Sequence, residues 1–109
     1  MGVDVVLKQV SQPRTSPKRR RLTQVDVVLD GSDLFARICE SSDLPLLNRV
    51  DPYGTLILTG AEMPQFIAEV DTVRGLVDGE SEREVLTGIR RLAERCASEA
   101  SMELHLEGD

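Results

Sequence analysis

The hydrophobic pattern is strand-like at both ends of the chain and has a period of three to four between them. Val3 to Val10, VDVVLKQV, is β-branched and apolar with polar Asp4 and Lys8 interposed, and reads as a buried strand. Val25 to Asp30, VDVVLD, nearly repeats it 22 residues on, as two strands shaped for one pleat would. A long-looped hairpin is the simplest way to join them. Met102 to Leu106, MELHL, puts Met102, Leu104 and Leu106 on one face and Glu103 and His105 on the other, a half-buried strand with an exposed histidine.

Helical spacing fills the middle. After the turn Asp30-Gly31-Ser32, Ser32 or Asp33 is placed to cap a short helix to about Ser41, with Leu34, Phe35, Ile38 and Cys39 on one face. Thr59 and Glu62 have capping-box spacing, and Pro64 requires either a helix starting near Ala61 or a cap on a short preceding turn. Met63, Phe66, Ile67, Val70, Val73 and Leu76 then form one stripe, ended by Asp78-Gly79. Ser81 to Glu84 is a second capping box, followed at helical spacing by Val85, Leu86, Ile89, Leu92, Ala93 and Cys96 to about Ser98.

Between Asn48 and the second helix lies VDPYGTLIL. Asp51, Pro52 and Gly54 each suit their place in a type I turn, and Leu56 to Leu58 follow as a short extended piece. The expected fold is therefore one α+β domain over 1–109. Strands near 3–10, 25–29 and 102–107 form a small, mostly antiparallel sheet. The helices near 61–76 and 82–98, with a short third, cover one face. The other face is expected to be open and to bear Asp4, Lys8, Asp26, Glu103 and His105.

Composition sharpens this picture. Aromatics are 3% of the 109 residues and Trp is absent, so the core is aliphatic. No apolar run approaches the ~20 residues of a membrane span, and Met1 to Asp4 lacks a signal-peptide start, so a cytoplasmic protein is expected. Cys39 and Cys96 lack CxxC spacing and fall on apolar helix faces, as buried free thiols do. The net charge is −6, yet Arg14 and Lys18 to Arg21 put five cations within eight residues, so the rest of the chain carries −11. That run lies in a polar, proline-containing stretch from 11 to 24, read as a flexible loop.

DPYGTLILTGAEMPQFIAEVDTV (51–73), the helix ending RLAERC and the terminal MELHLEGD together resemble a group of small, mostly uncharacterised bacterial proteins, frequent in actinobacteria. Several of these look like members of toxin–immunity neighbourhoods. The resemblance covers roughly the C-terminal half and transfers no catalytic role. Those relatives usually have Asp-Thr after the glycine and Asn closing the strand, where this chain has Thr55, Leu56 and Thr59.

Little in the sequence points to catalysis. His105 is the only histidine, no second His or Cys stands at metal-ligand spacing, and glycine-rich phosphate loops are missing, so no metal or cofactor is expected. Asp51, Tyr53 and His105 would make an acid, hydroxyl and base only if the corner met the last strand. The leading expectation is a non-enzymatic protein-binding module, an immunity-type inhibitor that masks a basic toxin or nuclease surface. Its contacts would be Glu80, Glu84, Glu103, His105 and Glu107. The alternative is a nucleic-acid-associated accessory protein using Lys18, Arg19, Arg20 and Arg21, and sheet edges also permit a homodimer.

Overall fold

The computed structural model describes residues 2–11 and 21–108. Four strands, β1 (Val3–Ser11), β2 (Arg21–Val28), β3 (Thr55–Thr59) and β4 (Met102–Gly108), form one sheet in the order β2-β1-β4-β3, with every neighbouring pair antiparallel. Three helices, α1 (Leu34–Ser41), α2 (Met63–Leu76) and α3 (Glu80–Ser98), complete an α+β fold. Helix α3 lies over β1, β2 and β4, and α2 packs against α3.

The core side of the sheet follows the period of two. Val3, Val5 and Leu7 of β1, Leu58 of β3, and Met102, Leu104 and Leu106 of β4 are buried against Phe35, Phe66, Val70, Leu86, Ile89 and Leu92 from the helices. Complete burial of such aliphatic chains, worth roughly 1.5–3 kcal/mol each, is the main force holding sheet and helices together.

Two strands extend beyond the sequence reading. β2 begins at Arg21, so the polar stretch Arg21 to Gln24 is paired with Lys8 to Ser11 rather than looped. The short piece Thr55–Thr59 is a full partner of β4, which makes it a fourth strand. In both cases pairing with a neighbour overrides weak local preference. The remainder of the expected 11–24 loop, with Arg14 and Lys18 to Arg20, lies outside the described residues.

The helix starts also depart from expectation. Neither Ser32 nor Asp33 caps α1 with its side chain; Asp33 instead takes a left-handed turn at φ 59°, tolerable for aspartate. The carboxylate of Asp30 does the capping, accepting hydrogen bonds from the N–H groups of Phe35 (3.0 Å) and Ala36 (2.9 Å), and from Val3 on β1 (3.0 Å). A reach of five and six residues, rather than the usual two or three, is possible because the chain turns sharply through Gly31 and Ser32. Thr59 and Glu62 do form their capping box, on the short 3-10 turn Gly60–Glu62 that precedes α2. The Ser81–Glu84 box does not form, because α3 starts two residues earlier, at Glu80, with Gly79 in extended backbone at its N-cap. Leu76, expected on the buried stripe of α2, is 75% exposed at the last position of the helix.

Candidate functional site

The described helices all lie on one side of the sheet, and the other side carries three cross-strand rows fixed by register. The middle row is Val27, Val6, His105 and Ile57; one flank is Gln24, Lys8, Glu103 and Thr59, and the other is Asp4, Glu107 and Thr55. This outer face is the only broad surface where the predicted Glu103, His105 and Glu107 come together among the described residues.

His105 stands at its centre and is only 3% exposed, which corrects the expectation of an exposed histidine. Val6 on β1 and Ile57 on β3 pair with it from either side, and carboxylates stand two residues before and after it. Its Nε2 lies 3.0 Å from Glu103 Oε1, and since a carboxylate only accepts, Nε2 donates. Its Nδ1 is 4.0 Å from Glu107 Oε2, and the same Glu107 oxygen is 2.9 Å from Lys8 Nζ. Lys8, Glu107, His105 and Glu103 thus stand as a row of neighbouring polar groups across β1 and β4. Beside it, Ile57 is 48% exposed, an apolar contact point on a carboxylate-rich surface.

Asp26 does not belong to this face. The register of β2 shifts between Leu7 and Lys8 of its partner, and Asp26 lies 3.9 Å from Arg95 Nη1 of α3, on the helix side. Glu80 and Glu84 are exposed on the first turns of α3, in the helix layer, so they do not share a surface with Glu103 and Glu107. Arg21 is exposed at the start of β2; its companions in the basic run lie outside the described residues.

The VDPYG stretch is a corner. Gly54 N–H donates to Asp51 O at 3.2 Å, closing the turn, and Asp51 Oδ1 accepts from Tyr53 N–H at 2.8 Å. Gly108 at the end of β4 then donates to Gly54 O at 2.7 Å, locking the corner to the last strand. Asp51 is spent on its own turn, His105 on Glu103 and Glu107, and Tyr53 is 70% exposed beside Pro52 and α1 residues Arg37 and Glu40. The three do not form an acid, hydroxyl and base arrangement.

A second buried carboxylate escaped the sequence reading. Glu69 of α2 is 5% exposed and accepts from Leu46 N–H and Leu47 N–H, both at 3.0 Å, and from Gln65 Nε2 at 2.9 Å. It holds the start of the 3-10 turn Leu47–Arg49 and is structural, as Asp30 is. The signal for it was present: Glu69 lies three residues after Phe66 and four before Val73, on the apolar stripe.

Both cysteines are buried and free. Burial, reinforced by the Asp30 charge, pushes the Cys39 thiol far up, and burial with Glu103 pushes Cys96 up to about 11, so neither is a thiolate near neutrality. Among the described residues no group of three His, Cys, Asp or Glu side chains is placed to hold a metal ion, and no helix is long and apolar enough to cross a membrane. Compared with family models, curated proteins and solved structures, the chain matches none.

Proposed function

We propose that this chain is a non-enzymatic protein-binding module of the cytoplasm whose outer sheet face receives a basic partner, as an immunity-type inhibitor masks a basic toxin or nuclease. The observation that carries the reading is the outer face itself. Asp4, Glu103 and Glu107 outnumber Lys8 there, and Ile57 supplies an exposed apolar anchor among them. Carboxylates beside an exposed apolar side chain fit a macromolecular contact, with charge steering the encounter and apolar burial slowing dissociation. The separate engagements of Asp51, Tyr53 and His105 favour binding over catalysis.

The test is affinity capture by the tagged chain from a lysate of its own source, with and without nuclease, at low and high salt. The expected result is one basic protein, retained after nuclease treatment, whose affinity falls at least tenfold (about 1.4 kcal/mol) for a Glu103→Gln/Glu107→Gln variant. A Glu80→Gln/Glu84→Gln variant should bind as the parent does. Retention that nuclease abolishes would transfer the function to the Lys18–Arg21 run, and an unaltered affinity in the first variant would remove the outer face from it.

A further inference from the structure

The helix layer carries a second surface, and it is concave. Between α1 and the C-terminal end of α2 runs a groove of about 480 Å³, floored and walled by Leu34, Ile38, Leu44, Val73, Leu76 and Val77. Its size is within the range of ligand-binding clefts. Leu76 is the most exposed large apolar side chain among the described residues, on a helix whose other stripe residues are buried (Met63, Phe66, Val70 and Val73) or half-buried (Ile67). An apolar wall left in water at the mouth of an apolar cleft is the arrangement a bound side chain would complete.

The charges around the groove select the occupant. Helices α1 and α2 both end beside the groove, which places their negative dipole ends there, with Arg83 Nη1 on Val77 O (3.2 Å) at the α2 end. Asp43 and Glu82 line it, and the α2–α3 connection adds exposed Asp78. Arg37 is the one cation in the lining among the described residues, and its guanidinium is turned to the carbonyls of Ser32 (2.8 Å) and Asp33 (3.3 Å). We propose that this groove docks an amphipathic segment of a partner protein, presenting an apolar anchor to Leu76 and Ile38 with a Lys or Arg beside it for Asp43, Glu82 and the helix ends. The groove opens on the helix layer, away from the outer sheet face, so the proposal stands whether or not that face binds a partner.

The experiment is an NMR titration of the isotope-labelled full chain with a short amphipathic model peptide of leucine and lysine. Two control peptides replace lysine by glutamate or leucine by serine. The expected result is saturable shifts confined to residues 34–44 and 72–82 with the Leu/Lys peptide alone. They should weaken about tenfold in Leu76→Asp, a substitution at an exposed position, and stay unchanged in Leu22→Asp, an exposed position on β2. Equal shifts with the Ser/Lys peptide, spread over the acidic surface, would reduce the effect to general charge attraction and overturn the proposal. So would equal binding of the Leu/Glu peptide, or groove shifts that depend on protein concentration without peptide, the mark of a second copy as occupant.

Discussion

Asp30 and Glu69 are buried carboxylates that serve as caps across long stretches of chain, from β1 to α1 and from α2 to the Leu46–Leu47 turn. A hydrogen bond to a charged group is worth roughly 1.5–3 kcal/mol, and a buried donor left without a partner costs about 1–3 kcal/mol. Glu69→Gln keeps the size of the side chain but turns one acceptor into a donor facing backbone N–H groups. It should therefore lower the unfolding free energy by about 2–4 kcal/mol in urea denaturation, and Asp30→Asn by a similar amount, whereas exposed Glu80→Gln should change it by less than about 0.5 kcal/mol. The cysteines give a pH signature at the same scale. A thiol raised to about 11 in the folded chain, against about 8.5 when unfolded, favours folding fully below about pH 8.5 and loses that contribution as pH rises towards 11. Iodoacetamide at pH 8 should therefore leave Cys39 and Cys96 unmodified in the native protein and label both in denaturant, as read by mass spectrometry.

At the scale of elements, legibility tracked how far each one depends on its neighbours. The stripe of α3, Leu86, Ile89, Leu92, Ala93 and Cys96, is buried as its spacing predicted, because nineteen residues of one period outweigh local noise. Arg21 to Gln24 and Thr55 to Thr59 are strands because Lys8 to Ser11 and Glu103 to Glu107 pair with them, and neither pairing is written in the segments themselves. The DPYG corner was legible as a turn, but its clamp was not. A Cβ on Gly108 would stand 2.3 Å from both the carbonyl carbon and the oxygen of Pro52, so the corner backbone itself would have to move. A Cβ on Gly54 would meet only the Asp51 carboxylate, at 2.8 Å, and a side chain can rotate away. Gly108→Ala should thus cost about 2–3 kcal/mol and Gly54→Ala about 1 kcal/mol or less, a contrast that thermal melts of the two variants would reveal.

For the whole molecule, the decisive feature is that one sheet carries two faces of opposite fate. The period of two in MELHL announced this, and so the outer Glu103 and His105 could be named from sequence; the burial of His105 could not, because it depends on Val6 and Ile57 from two other strands. Adjacent residues of β3 offer a direct test. Leu58 is fully buried against the helices, while Ile57, one residue earlier, is half exposed on the outer face. Leu58→Lys buries a charge and empties a core site, a change expected to cost more than about 4 kcal/mol and to prevent folding at 37 °C. Ile57→Lys should shift stability by no more than about 1 kcal/mol, since its side chain already reaches water. Circular dichroism melts at two protein concentrations separate the outcomes. If Ile57→Lys instead destabilises as severely as Leu58→Lys, and the parent melts at a higher temperature when more concentrated, then a second copy covers the outer face in solution. A partner would in that case have to compete with self-association to reach Glu103 and Glu107.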